Sequence, residues 1–246
     1  MVKKKKPIKL AIFDVDGTIF RSSLFIELFN ELVKRGIFPL KASVQVKREY
    51  QRWLDRKGHY NDYLHKMVVV FYRYIKGCTR AQIESATQAV IRNQKDHVYR
   101  YTRTLIQKLR RKGYFILAIS NTFDIIVDRF AEKLGLDASI GRVHEMRNDV
   151  YTGRTVYKGA VVTNSNLDKV DILRDFIKNK ELRTNLKDAI AVGDSEGDIA
   201  LLSTVGHPIA FNPSRLLADI AQKKKWPIVV ERKDVMFHIK SCTLES

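Results

Sequence analysis

The chain has 246 residues, 45% hydrophobic and 29% charged, and its 45 Lys and Arg against 27 Asp and Glu give a formal net charge of +18. That length buries a substantial core, while the lack of long Pro, Gly or Ser tracts, solenoid-period repeats or a bilayer-length apolar run excludes disordered, repeat and membrane-spanning classes. The positive surplus attracts anionic ligands, whether small phosphates, nucleic acid or acidic lipid.

MVKKKKP opens the sequence, but the apolar residues after it, Ile8 to Phe13, contain Lys9 and stop at Asp14. No secretion signal is read there. Cys78 and Cys242 lie far apart and form no metal-spaced pair, so a reducing cytoplasm is expected. Ile8 to Phe13 reads as a strand that ends in DVDGT, Asp14 to Thr18. Two acids and a Gly at a strand end often only make a turn. They also suit a hard divalent cation, which takes one or two carboxylates plus waters and phosphate oxygens. A further acid elsewhere in the chain is what separates the two readings.

Nearly a hundred residues without a convincing strand follow. SLFIELFNELVKRG, KASVQVKREYQRWLDRKG, YNDYLHKMVVVFYRYIKG and TRAQIESATQAVIRNQ each carry apolar residues near helical spacing, with Gly36, Gly58 and Gly77 placed as C-terminal caps. MVVVF, Met67 to Phe71, is too short to span a bilayer and is flanked by Lys66 and Arg73. This four-helix module precedes a returning helix, Asp96 to Lys112. The expected division is a core of residues 1–21 plus 95–246 with 22–94 inserted as a helical cap.

Two further strands, Tyr114 to Ser120 and Ala189 to Asp194, match the first in length and apolarity, and PIAF from Pro208 and PIVVE from Pro227 extend the set. Apolar runs that alternate with helices predict an α/β fold, a Rossmann-like parallel sheet buried on both faces. Its binding cleft lies at the carboxyl ends of the strands, facing the inserted module. In SIGRVHEMRNDVYTGRTV, Ser139 to Val156, YTGRT marks the turn of a small antiparallel hairpin. The basic runs, Lys3 to Lys6, Arg52 to Lys57, Arg100 to Lys112 and Lys223 to Lys225, are not interleaved with aromatics as a base-stacking surface is, YRYTR at Tyr99 to Arg103 coming nearest.

The third strand supplies the missing acids. In VGDSEGDIALL, Asp194 closes the strand and Asp198 sits four residues on, in the loop or first helical turn. Ser120 and Asn121 end the second strand, and Lys169 in NLDKVDIL begins a helical pattern. Each residue alone reads as a cap or turn former. Together they put acids, a hydroxyl and an ammonium on one rim.

DVDGT at Asp14 to Thr18, SN at Ser120, Lys169 and GDSEGD at Gly193 to Asp198 resemble the four ordered motifs of the haloacid dehalogenase superfamily of phosphohydrolases. Helices placed just after the first motif are similar to those of its phosphoserine phosphatase-like subgroup, and YTGRT and the segment from Gly206 to Val229 carry the resemblance along nearly the whole chain. The resemblance implies a Mg2+-dependent phosphatase acting on a small phosphorylated metabolite through an aspartyl-phosphate. In it Asp14 is the nucleophile, and Asp16 protonates the leaving alkoxide and then activates water. The presence of Asp16 favours phosphatase over dehalogenase chemistry. Asp14, Asp194 and the Asp16 carbonyl hold Mg2+, Asp198 supports that shell, and Ser120, Asn121 and Lys169 face the phosphoryl group. Asn121 departs from the Gly often found beside that Ser.

Substrate preference is expected to reside in residues from about Ser22 to Asn93, with Lys66 and Arg73 as candidates for a second acidic group. A Glu that pairs with the amine of phosphoserine in the subgroup is replaced here by Ser23, with Glu27 one helical turn beyond. Two alternatives stand beside the leading reading: a phosphotransferase or mutase of the same superfamily, and a basic nucleic-acid-binding protein on a phosphatase fold. The latter lacks any recognised nucleic-acid motif.

Overall fold

The computed structural model describes residues 7–162 and 168–239, so Lys3 to Lys6 and Cys242 lie outside the described residues. The first strand, β1 (Lys9–Phe13), is buried from Leu10 onward. Four helices follow: α1 (Leu24–Lys34), α2 (Lys41–Leu54), α3 (Tyr60–Ile75) and α4 (Arg80–Gln94). The chain then returns through α5 (Arg100–Arg111) to β2 (Tyr114–Phe123). Next come α6 (Asp124–Leu134), β3 (Ala138–Arg142), β4 (His144–Arg147), β5 (Val150–Tyr157) and β6 (Ala160–Val162). The last part is α7 (Lys169–Asn179), β7 (Ile190–Gly193), α8 (Ile199–Thr204), β8 (His207–Phe211), α9 (Arg215–Lys223), β9 (Ile228–Arg232) and β10 (Val235–Ile239).

Seven strands form one sheet in the order β10-β9-β8-β7-β1-β2-β3, parallel except for β10 against β9. β1 is central, paired in parallel with β2 and β7, and its alternating side chains enter two different core clusters, Ala11 and Phe13 one and Leu10 and Ile12 the other, which is why its sequence is continuously apolar. The connections into and out of the helical module run side by side. Arg21 donates to the His97 carbonyl (2.9 Å), Tyr99 donates to that of Ile19 (2.9 Å), and Phe20 pairs with Val98.

The four helices fall where the apolar spacing puts them. Ser23 caps α1 through Ile26 (3.4 Å), and Thr79 with Gln82 forms a reciprocal capping box on α4. Gly36 and Gly77 take positive φ just past α1 and α3, as a helix end requires, but Gly58 does not. There Arg56 is left-handed, one residue after the cap Asp55, and Gly58 instead gives room to Arg52, whose Cβ would lie 3.2 Å from an added methyl group.

The region from Ser139 to Val156 departs most from expectation. Ala138–Arg142 is not part of a hairpin but the edge strand β3, paired in parallel with β2. The hairpin is β4–β5, and it turns at Asn148 and Asp149, both at positive φ (49° and 60°), so YTGRT lies within β5 and not at the turn. Gly153 in that run (φ 80°) is required by close packing, since a methyl group there would sit 2.9 Å from the Tyr72 carbonyl of α3. Backbone bonds fasten β5 to the α3–α4 connection: Gly77 to Tyr151 (2.9 Å), Tyr151 to Cys78 (2.9 Å) and Arg80 to Asp149 (2.8 Å).

His144 of β4 is wedged against Phe123 (4.1 Å between ring centroids) and stacked on Tyr72 (5.4 Å). Burial lowers its pKa to about 3, against a weaker opposite pull from its bond to the Arg142 carbonyl. The folded chain thus binds one proton fewer than the unfolded chain between pH 3 and 6.5, and this contribution to stability is lost as pH falls through that window. The stability of the native chain relative to His144→Phe is expected to fall by up to about 1.4 kcal/mol per pH unit as pH drops below 6.5. Urea unfolding of both from pH 7 to 4 checks it, and parallel curves would refute it.

Candidate active site

The carboxyl edge of the sheet collects residues from three adjacent strands and one helix start. Asp14 follows β1 directly and prolongs its pairing, its amide donating to the Val192 carbonyl (2.9 Å). Asp194 follows β7, and a 3-10 turn over Glu196–Asp198 brings Asp198 back beneath it. Lys169 is the first residue of α7, whose cap, Asp168, accepts from the Val170 amide (2.8 Å).

Lys169 is 4% exposed, and its ammonium donates to Asp14 Oδ1 (2.5 Å) and Asp198 Oδ1 (2.6 Å). The other oxygen of Asp198 accepts from the amides of Asp194 (3.1 Å) and Ser195 (3.1 Å) and from the Ser195 hydroxyl (3.0 Å). Asp198 therefore clamps the loop that carries Asp194 and anchors Lys169 at the same time. Two glycines make the close approach possible. A methyl group on Gly193 would lie 2.5 Å from Asp198 Cβ, and one on Gly17 (φ 79°) would lie 2.1 Å from Asp194 Oδ2. The space and backbone of the DVDGT turn thus admit only Gly at position 17.

Oxygen atoms of Asp14, Asp194 and Asp198 lie within 4.8 Å of one another. Thr18 donates to Asp194 Oδ1 (3.3 Å). Burial raises the Asp14 carboxyl to about 7; Lys169 opposes this, and Asp198 and Asp16 add to it. Asp194 is raised well above the usual range by burial and then by Asp14 and Asp198. For Lys169 burial pulls downward, but Asp14 and Asp198 outweigh it and hold the ammonium charged. Among the described residues one cation beside so many acids leaves the site short of positive charge, and the donor set is oxygen only, with neither His nor Cys. Those features fit a hard divalent cation held by Asp14 and Asp194.

Asp16 points elsewhere on the same rim. Its Oδ1 accepts from the Leu24 amide at the start of α1 (2.6 Å), and Oδ2 accepts from the Thr122 hydroxyl. Burial raises its pKa, and the bonds from Thr122, Leu24 and Ser120 oppose that. Ser120 Oγ also accepts from the Thr122 amide (3.0 Å), so Ser120, Thr122 and Asp16 form one buried network. The side chain of Asn121, opposite them on the strand, is turned to Arg142 on β3 (3.3 Å).

The candidates on the helical module are placed less uniformly. Ser23 is buried and caps α1, one residue before the amide that Asp16 holds. Glu27, one turn on, accepts from Gln94 (3.2 Å), and burial raises its pKa against the pull of His97. Arg73 is exposed and donates to Gln45 of α2 (3.1 Å), while Lys66 forms no ion pair among the described residues. Neither is brought to the acids by any bond.

Sequence reasoning did not place Thr122, Tyr60 or Tyr99 at this site. Thr122 was within reach of it, because residues two apart on a strand share a face and Ser120 was already a candidate. Tyr60, at the start of α3, has its phenol pKa raised by burial, and then by the charges of Asp16 and Asp194 among others. Tyr99 is also raised by burial, with Asp194 contributing and a bond to Asn212 opposing. Both rings therefore lie within electrostatic range of the acids. Tyr60 packs on Trp53 (5.1 Å) and Tyr63 (6.1 Å), which gives the module an aromatic wall. Nothing in the local sequence distinguishes these tyrosines from packing residues.

Comparison with known proteins agrees with this geometry. The family model of haloacid dehalogenase-like hydrolases matches residues 11–203. A phosphoserine phosphatase from Methanocaldococcus jannaschii is 27% identical over 235 residues, 96% of each chain. The structure of a phospho-aspartyl intermediate analogue of phosphoserine phosphatase superposes with a TM-score of 0.58 at 25% identity, covering 93% of this chain and 96% of its own. A Bordetella pertussis protein of unknown function shares the fold at TM-score 0.68 and 19% identity, covering 91% of this chain and 98% of its own.

Proposed function

Because this chain belongs to the haloacid dehalogenase-like hydrolases, in their phosphoserine phosphatase-like branch, we propose that it is a Mg2+-dependent phosphatase of a small phosphomonoester. The observation that carries this reading is the buried Lys169 ammonium bridging Asp14 and Asp198, beside carboxylate oxygens spaced to share a cation. Residues 22–94 act as a cap over the rim, and residues 1–21 with 95–246 form the catalytic core.

In this reading an Asp14 oxygen attacks phosphorus in line as the ester P–O bond breaks, which forms an acyl phosphate. Asp16 gives its proton to the departing alkoxide, a role suited to a carboxyl raised by burial. Thr122 and the Leu24 amide hold Asp16 in place for it. Asp16 then takes a proton from water, which attacks the phosphorus, releases phosphate and restores the Asp14 carboxylate. Lys169 and Ser120 face the phosphoryl oxygens, where positive charge and a donor act on the charge that develops. Asp14, Asp194 and the Asp16 carbonyl would hold the cation, with Asp198 positioning Asp194 and Lys169. The bound cation supplies charge neutralisation for the nucleophile and the phosphoryl group.

Phosphate release from a panel of metabolites, with Mg2+ and with excess chelator, tests the assignment. Activity is expected with Mg2+, poorly with Zn2+, and to be inhibited by Ca2+, whose larger, more flexible shell would engage the nucleophile Asp14 too fully for in-line attack. Full activity in chelator would contradict it.

Free phosphoserine is not expected to be the best substrate. The Ser23 hydroxyl carries no charge to meet an ammonium and is occupied as a helix cap, and the Glu27 carboxylate is half-buried and bonded to Gln94. A buried ammonium without a carboxylate partner loses its compensation for desolvation. Higher kcat/KM for amine-free phosphomonoesters than for phosphoserine is the expected result. A preference for phosphoserine that is lost in Glu27→Gln would show that the amine site had moved by one turn.

A further inference from the structure

A cavity of about 330 Å³ lies where the helical module, α6 and the β4–β5 hairpin meet, and none of the acids of the candidate active site lines it. Most of its charged groups are already engaged with one another. Arg80 of α4 donates to Glu84 (2.9 Å), Arg129 of α6 donates to Glu132 (3.1 Å), and Asp128 accepts from the Ser139 hydroxyl (2.6 Å).

Among the lining groups, His144 and Asp124 retain unused acceptor capacity. His144 is 5% exposed, and its Nδ1 lies 3.1 Å from the Arg142 carbonyl. A carbonyl only accepts, so Nδ1 carries the proton and Nε2 of the neutral ring keeps a free lone pair. No other hydrogen bond to this ring is formed among the described residues, although the ring lines the cavity. Asp124, the first residue of α6, accepts from the Ile125 amide (2.9 Å) and forms no ion pair among the described residues. Burial raises its carboxyl to about 6, with Asp128 adding to the effect and Arg80 opposing it. Ile125, Val143 and Met146 supply apolar wall between these polar groups.

We propose that this cavity is a second ligand site, separate from the phosphatase centre, and that it takes a small ammonium compound with an apolar body. A protonated amine supplies the donors that His144 and Asp124 lack and the positive charge that Asp124 is short of, while its carbon chain packs on the apolar wall. An anion is disfavoured there, since both cations of the lining already hold carboxylates. The occupied site bridges α4 of the module and α6 of the core, so binding couples to the contact between them.

The test is calorimetric titration and thermal melting of the full chain with ethylammonium, butylammonium, benzylammonium and putrescine, each beside the corresponding alcohol. Saturable binding of at least one amine at millimolar concentration or below is expected, with its alcohol at least about tenfold weaker. Asp124→Asn removes the charge at a partly exposed position and is expected to weaken the amine by about tenfold or more, while phosphate release without amine is unchanged. Absence of binding by every amine, equal binding of amine and alcohol, or amine affinity unchanged in Asp124→Asn would each overturn the proposal. Since the readout is binding, these outcomes are independent of whether the phosphatase assignment holds.

Discussion

Asp14→Asn is expected to lower turnover of a generic aryl phosphate by about a thousandfold or more, as removal of a nucleophile does elsewhere. An amide of the same shape still accepts from Lys169 through its oxygen, but it does not form the acyl phosphate. The fold should survive, and without divalent cation it should be at least as stable as the native chain. The sign follows from the raised pKa. A carboxyl held at about 7 in the folded chain and near 3.8 when unfolded favours folding when protonated, and that stability is lost as pH rises through 7. At pH 8 the ionised Asp14 is therefore a burden that Asn relieves, in keeping with the trade between stability and activity at such sites. Steady-state kinetics and urea unfolding at pH 8 in chelator check both halves. Undiminished activity would remove Asp14 from the nucleophile's role.

Lys169→Met is expected to be the most damaging change to the site as a structure. The substitution keeps the length of the side chain but deletes the ammonium that neutralises Asp14 and Asp198 in an almost fully buried setting. Removing one partner of a buried pair leaves the other charge uncompensated, at a cost of roughly 3–5 kcal/mol. The effect should be smaller in Asp14→Asn/Lys169→Met than the sum of the single changes, because the double variant has one less carboxylate to strand. Catalytic efficiency should fall about a hundredfold or more, as loss of a donor that meets developing charge does. Urea unfolding of the singles and the double gives the coupling. Additive effects would mean that Lys169 and Asp14 do not interact.

How much of this was legible in the sequence depended on the kind of signal. β1, β2 and β7 are buried on both faces, so they stand out as uninterrupted apolar runs, and their ends locate the rim. The four helices of the module show their apolar stripes for the same reason. The β3–β5 region was misread because its backbone follows tertiary constraints. Asn148 and Asp149 make the turn, while the more conspicuous Gly153 serves close packing against α3. Gly58 was misread in a related way, Arg56 taking the left-handed position that a Gly usually fills.

At the site, Asp14, Asp16, Lys169, Asp194 and Asp198 were recognisable only as an ordered set. Each alone is an ordinary cap or turn former. The Thr122–Asp16 bond and the approach of Tyr60 and Tyr99 depend on tertiary packing, which no local pattern encodes. Lys66 and Arg73 show the converse. Their charge suggested a role, but solvent-facing cations on a helix have the same sequence signature, and the only bond either forms to another side chain among the described residues is that of Arg73 to Gln45.

The central claim is that phosphoryl transfer passes through Asp14, and acid-quenched single-turnover reaction followed by peptide mass analysis tests it most directly. The account predicts a transient phosphoryl group on the peptide that carries Asp14, formed and lost at rates consistent with turnover and absent in Asp14→Asn. Phosphate released at the full rate with no phosphorylated peptide, or with the group on another residue, would contradict it.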